Sequence, residues 1–346
     1  MKKILYLIIC IPFLLTACDV HELPTIPESV KFHLRLSYET NITEWNHIYD
    51  GLKVVEQEVG KTYDNKQEEG MIRYLVRAYP ILDNQNTMKE YTHEFVFTKD
   101  IAQGYDHEVT LELPGGMYNI MVWSDLVEKK GDDFFYNADN FNEIILHGGY
   151  KGNTDYRDAF RGTENLTLIA DFIEKKPDTL DIIMQRPLAK YEFVATDLKQ
   201  FVHNQIEYLK KEAASRGEDP PAAIDTDNYM VVVYFSGYMP NAYNLNVDKP
   251  VDSTMGVMFE SKLNCISDNE ASLGFDYVFV NGKTSGVTVQ IGIYDEKERV
   301  VALTEPINVP LSRSHHTMIR GSFLIREASG GITIKPDFDG EHNVII

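Results

Sequence analysis

Val30, Phe32, Leu34, Leu36 and Tyr38 alternate with Lys31, His33, Arg35, Ser37 and Glu39. A period of two puts one set of side chains on each face of an extended backbone, so the segment reads as a half-buried strand. The pattern recurs in short blocks at 71–81, 91–98, 107–113, 117–123, 144–146, 164–171 and 179–185. A second series follows at 188–196, 229–236, 256–261, 275–280, 287–294, 300–304, 317–325 and 332–335. Pro114-Gly115-Gly116, Asn281-Gly282 and Gly330-Gly331 punctuate the blocks as turns. Short strands with frequent turns predict an all-β protein built of sandwiches. A chain of 346 residues exceeds what one core usually organises, which predicts two of them. The boundary is expected at Arg186-Pro187, between adjoining strands, giving domains 29–186 and 187–346.

One segment breaks the pattern. Leu198, Phe201, Val202, Ile206 and Leu209 fall on one helical face, predicting a helix over 198–216 inserted in the second domain. Asp197 is placed to cap it, with Gln200 three residues on as in a capping box, and Gly217 to Pro221 stop it.

The N-terminus carries an address. Met1-Lys2-Lys3 is positive, and 4–15 is an apolar run too short to span about 30 Å of hydrocarbon. It ends in Leu15-Thr16-Ala17-Cys18, the pattern of a bacterial lipobox. Residues 1–17 are therefore expected to be a signal peptide, and Cys18 to carry a diacylglycerol and a further acyl chain such as palmitate. Two or more chains anchor far more firmly than one. Residues 18–28, with two prolines, read as a lipidated tether of about 35 Å at full reach. No later run of 18 apolar residues exists, so the body is expected to be held at a membrane without crossing it. Cys10 leaves with the signal and Cys18 takes lipid. Cys265 alone remains, read as a buried or half-buried side chain, and no internal disulfide is expected.

Asp and Glu number 53 against 33 Lys and Arg, a net charge of −20. Nucleic acid needs a basic face, which this balance argues against. Catalytic patterns are equally lacking: there is no Gly-x-Ser-x-Gly, no His-Glu-x-x-His and no phosphate-binding loop. Gly148–Gly152 reads as a surface loop. His315 and His316 are adjacent on a strand and point to opposite faces, so they cannot ligate together. Asp337–Glu341 lacks the ligand offsets of a calcium loop. Asp132, Asp133 and Asp139 are not placed as an acid–base pair. No catalytic, cofactor-binding or metal residue is expected, and the chain reads as a non-enzyme. Trp123 is expected in the core, and Trp45 in a polar loop over 41–50 with an exposed ring.

The lipobox, then Arg73-Tyr74-Leu75-Val76-Arg77-Ala78-Tyr79, then Leu113-Pro114-Gly115-Gly116-Met117-Tyr118-Asn119-Ile120-Met121-Val122-Trp123 follow one another. Met184-Gln185-Arg186-Pro187-Leu188-Ala189-Lys190 and Arg313-Ser314-His315-His316-Thr317-Met318-Ile319-Arg320-Gly321 come later. In that succession the chain resembles the FimB/Mfa-type fimbrillin-anchor lipoproteins of anaerobic Gram-negative bacteria, although Ser314 stands where that family often has Asn. The resemblance implies two tandem transthyretin-like (Greek-key) β-sandwich domains on a lipid anchor in the outer membrane, exposed at the cell surface. It implies a fimbrial anchor or accessory role, with pilin-like subunits bound through sheet edges. Exported proteins of that group are O-glycosylated at Asp-Ser/Thr-x, which singles out Thr179 and Ser253. The alternative is a glycan-binding surface lipoprotein of a nutrient-uptake system, also a lipidated β-sandwich.

Overall fold

The computed structural model describes residues 29–82, 86–169, 178–281 and 284–325. Cys18, the tether, the expected strand at 332–335, the acidic turn at Asp337–Glu341 and the apolar Asn343–Ile346 lie outside them. The described chain is all-β with a single α-helix, as the strand blocks predict.

The first sandwich faces a three-stranded sheet against a four-stranded one. The three-stranded sheet has the order β11 (Asp178–Met184), β1 (Val30–Tyr38), β6 (His107–Leu113). The other runs β10 (Ala159–Leu168), β7 (Gly116–Val127), β4 (Met71–Pro80), β5 (His93–Asp100). Phe32, Leu34 and Leu36 of β1 are buried against Ile72, Tyr74 and Val76 of β4, while Lys31 and Arg35 stay on the solvent face. The alternation in β1 therefore has its expected cause. In β4 it fades, because its second face is covered too. Leu75 and Tyr79 join Trp123, Leu188, Tyr243, Tyr277 and Phe279 in a separate cluster between the two halves of the chain. A strand covered on both sides has no polar face to show.

The second sandwich packs a six-stranded sheet on a smaller one. The large sheet has the order β17 (Asn264–Cys265), β18 (Ala271–Phe279), β12 (Leu188–Ala195), β22 (His315–Gly321), β2 (Asn41–Tyr49), β3 (Val54–Asp64). The smaller sheet runs β16 (Met258–Lys262), β13 (Met230–Phe235), β19 (Thr284–Tyr294), β20 (Val300–Leu303), with β21 (Ile307–Ser312) also paired to β19. A fifth sheet, β15 (Lys249–Thr254), β14 (Met239–Asn244), β9 (Ile144–Leu146), β8 (Tyr136–Asn137), joins strands from both halves of the chain.

The sheets thus cross the sequence boundary at Arg186-Pro187. Strands β2 and β3 belong to the first half of the sequence, yet β2 pairs in parallel with β22, Thr43 opposite His315 through Tyr49 opposite Gly321. The polar loop expected over 41–50 is this strand. Its pattern hides in the sequence because β3 is exposed along most of its length and β2 keeps Glu44, Trp45 and Asn46 half-exposed.

The helix α1 (Leu198–Arg216) has the expected bounds, with Gly217 in the left-handed region at φ 70° closing it. Its start differs from expectation. Asp197 makes no side-chain cap. Its carboxylate instead accepts from the backbone N–H groups of Phe323 (3.3 Å), Leu324 (3.0 Å) and Ile325 (3.1 Å). The N–H of Leu198 donates to the Asn269 carbonyl at 3.1 Å. The segment leaving β22, and not the first turn of the helix, holds this carboxylate.

Candidate functional site

Three of the places where the described chain passes between the sandwiches meet. Residues 39–41 lead from β1 to β2, residues 65–70 lead from β3 back to β4, and Arg186-Pro187 leads from β11 to β12. Arg186 is wholly buried, and its Nε donates to both oxygens of Asp158, at 2.9 and 2.7 Å. Its Nη1 donates to the carbonyls of Glu39 (3.3 Å) and Asn41 (3.1 Å). Asn65 donates its backbone N–H to Thr40 O at 3.1 Å, and its Nδ2 to Asp158 (3.3 Å) and the Tyr277 hydroxyl (2.8 Å). One buried arginine and one buried aspartate therefore tie all three crossings together.

A second pair lies beside the knot. Arg157 Nη1 donates to Asp276 at 2.7 Å, both groups buried, and the Tyr150 hydroxyl donates to the other Asp276 oxygen. Burial pushes the carboxyls of Asp158 and Asp276 up, and their arginines pull them back. Removing one partner of such a pair typically costs about 3–5 kcal/mol, because the other charge is left bare in a dry site. On the flank, Asp248 accepts from Arg161 Nε (2.9 Å) and Arg313 Nη1 (2.9 Å), and also from the Tyr243 hydroxyl. These contacts make the two sandwiches one packed unit.

Surfaces remain open at the far side of the second sandwich. A groove of about 670 Å³ lies between the large sheet and β21, with Trp45, His47 and Val54 lining it from β2 and β3 and Val287, Pro306 and Ile307 from the smaller sheet's side. Trp45 is half-buried, its Nε1 donating to Glu56 Oε1 at 2.8 Å, and its ring meets His47 and His315 edge-on. The outer edge of β21 is partly closed. Pro310 has no N–H, and its carbonyl accepts from the Thr317 hydroxyl at 2.8 Å. Among the described residues, β3 pairs only with β2 and β5 only with β4, so each presents one unpaired edge. Val59 on β3 and Val96 on β5 stand 63% and 54% exposed.

The residues singled out by sequence fall elsewhere. Thr179 is exposed on β11, opposite His33. Ser253 is also exposed, on the edge strand β15 opposite Pro240 and not in a loop. Cys265 is exposed, not buried: it sits on the two-residue strand β17 at the border of its sheet, 3.6 Å from the Thr226 hydroxyl. His316 is buried, its Nδ1 paired with the Tyr63 hydroxyl at 2.8 Å and its Nε2 3.1 Å from Glu192, while His315 is half-buried and bonds Arg313 O. Trp123 is fully buried, its Nε1 donating to Asp125. Asp132 closes a turn on the Lys129 N–H. Among the described residues no three His, Cys, Asp or Glu side chains cluster as metal ligands do. The knot was invisible in the sequence, since Arg186 and Asp158 lie far apart and no periodicity links them.

A family model matches residues 27–346, all of the described chain. The chain belongs to the Family of unknown function (DUF6562). No curated protein matches this DUF6562 chain. Among solved structures, a candidate adhesin from Bacteroides ovatus is similar at 10% identity and TM-score 0.40, over 88% of this chain and 96% of that one. The fimbrial anchor protein Mfa2 from Porphyromonas gingivalis is similar at 10% identity and TM-score 0.37, over 79% and 82%. A fimbrial assembly protein from Parabacteroides distasonis is similar at 11% identity and TM-score 0.35, over 85% and 91%.

Proposed function

We propose that this DUF6562 protein is a surface lipoprotein, lipidated at Cys18, that anchors or assists a fimbria by binding a pilin-like subunit at a sheet edge. The observation that carries the reading is β3: eleven residues long, outermost in its sheet, and paired on one side only among the described residues. An unpaired edge offers a row of N–H and C=O groups to an added strand. The lipobox and the succession of motifs shared with fimbrillin-anchor lipoproteins support the membrane and fimbrial parts. The domain scheme proposed with it has a signal peptide at 1–17, a tether at 18–28 and two sandwiches over 29–186 and 187–346, with β2 and β3 lent by the first to the second. O-glycans at Thr179 and Ser253 complete the proposal, both side chains being exposed.

The test is a gene deletion in the native host, complemented with wild type, Cys18→Ala, or Val55→Lys/Val59→Lys on β3. Surface fibres are expected to be shed in the deletion and Cys18→Ala strains. The lysine pair is expected to keep the protein on the membrane while fibres detach, since charge on an edge discourages strand addition. Fibres that stay attached in the deletion strain overturn the reading.

A further inference from the structure

Strand β5 borders the four-stranded sheet of the first sandwich. Its eight residues run beside β4 without a register shift, from Met71 opposite Asp100 to Ala78 opposite His93. β3, the other open edge, slips twice against β2. We propose that β5 pairs with β5 of a second copy of this chain, antiparallel and two-fold, with Val96 opposite its own counterpart. The inference goes beyond the fimbrial reading and does not depend on it, since β5 and β3 lie in different sheets.

Three observations carry it. The first is which backbone groups face outward. The N–H of Ile101 donates to the Gly70 carbonyl at 3.0 Å, continuing the β4–β5 register. Bonded and unbonded pairs alternate along an antiparallel ladder. Residues 93, 95, 97 and 99 therefore turn their N–H and C=O groups to β4, while Glu94, Val96 and Thr98 turn theirs to the free edge. A two-fold through Val96 sets Glu94 opposite Thr98 of the second copy, Val96 opposite Val96, and Thr98 opposite Glu94. Each of those facing pairs exchanges two hydrogen bonds.

The second is that the edge is unguarded. Edges are commonly blunted by a proline, a bulge or a lysine. β5 has no proline and no bulge, and its one lysine, Lys99, donates its Nζ to the Asp106 carbonyl of its own chain. Val96 stands 54% exposed, although Leu75 opposite it on β4 is buried. Phe95 and Phe97 are half-buried on the other face. The two-fold sets Val96 against Val96 on one face and Phe95 against Phe97 on the other, apolar cross-strand pairs that stabilise a sheet.

The third is charge. In this register Glu94, already bonded by Arg77, meets Thr98, and no two carboxylates of the strand face each other. A slip of two residues one way sets Glu94 against Asp100, and the other way Glu90 against Asp100. Like charges directly opposite destabilise a sheet, so charge selects the register centred on Val96. β6, at the border of the three-stranded sheet, fails the same test: a two-fold at its centre, Thr110, opposes Glu108 to Glu112. An edge this short covers less than the about 1,000 Å² of a stable interface, so the pair is expected to form reversibly.

Single cysteines read the register on full-length protein in excess detergent, in a Cys265→Ser background that removes the exposed native thiol. Val96→Cys is expected to link to itself under mild oxidation, because a facing pair has Cα atoms about 5.5 Å apart, within disulfide reach. Thr98→Cys is expected to stay unlinked, since the two copies of residue 98 lie four steps apart, about 13 Å. Sedimentation of the wild type is expected to move from one chain to two as concentration rises. Val96→Lys is expected to stay at one chain with an unchanged melting temperature, and Val96→Thr to match wild type. A wild type that sediments as one chain at every concentration overturns the proposal. So does a Val96→Lys variant that pairs as the wild type does, or Thr98→Cys linking as readily as Val96→Cys.

Discussion

Asp158→Ala is the change that isolates the knot. Asp158 and Arg186 side chains are 1% and 0% exposed, and the pair is joined at 2.7 Å. Removing the carboxylate leaves the guanidinium with the Glu39 and Asn41 carbonyls and the face of Phe160, 4.7 Å from its centroid. It also strands the Asn65 amide donor aimed at Asp158. A bare buried charge of this kind costs about 3–5 kcal/mol. For a chain of this size that corresponds to a fall in melting temperature of roughly 10 °C. Replacing both partners by apolar groups, Asp158→Leu with Arg186→Met, removes the bare charge, so the double variant is expected to melt above the single one. Calorimetry on the soluble body, with its signal and Cys18 removed, reads both. The reasoning fails if Asp158→Ala melts within about 2 °C of wild type, the shift of a ~1 kcal/mol loss. It fails equally if the double variant is no better than the single, because the cost would then not lie in the unpaired charge.

Three further outcomes follow from local geometry. Asp197→Ala removes the acceptor for three backbone donors and is expected to cost about 1–3 kcal/mol in urea unfolding, with faster exchange at Phe323–Ile325. Gly70 holds φ at +116°, and an added Cβ would lie 2.6 Å from the Val127 carbonyl oxygen, so Gly70→Ala is expected to destabilise by more than about 1 kcal/mol in the same assay. Burial alone would raise the Glu192 carboxyl, but hydrogen bonds from His316 and Ser272 bring it below its usual value. Its contribution is then present above the ordinary glutamate range and lost as pH falls through the lowered value, so Glu192→Gln is expected to lose less stability than wild type on acidification, read from urea midpoints at neutral and acid pH.

The sequence was most readable where a strand has one wet face. β1 is the clearest example, since Phe32, Leu34 and Leu36 go inward and their neighbours go out. β9 and α1 also have the expected bounds. Legibility failed at both extremes of burial. β3 is so exposed that no apolar alternation marks it, and β2 shares its polar character, which reads as a loop over 41–50. β14 and β15 carry polar residues and two prolines, and their pairing depends on β9 from the other half of the chain. Cys265 misled because cysteine is commonly buried, whereas a two-residue border strand offers nothing to cover it. The knot failed for another reason. Arg157, Asp158 and Arg186 look like surface charges, and only the meeting of three chain crossings explains why they are inside.

The placing of β1 has a mechanical consequence. It lies between β11, in parallel register from Phe32 opposite Asp178 to Tyr38 opposite Met184, and β6, in antiparallel register from Val30 opposite Leu113 to Leu36 opposite His107. A pull on the chain ahead of Val30, directed along the strand, loads both ladders in shear, so their bonds share the force and must fail together instead of one at a time. What survives passes through residues 39–41, where Arg186 grips the Glu39 and Asn41 carbonyls, and on into β2, which pairs with β22 in the large sheet of the other sandwich. Tension applied at the N-terminus therefore meets the two β1 ladders of the first sandwich before it reaches the second.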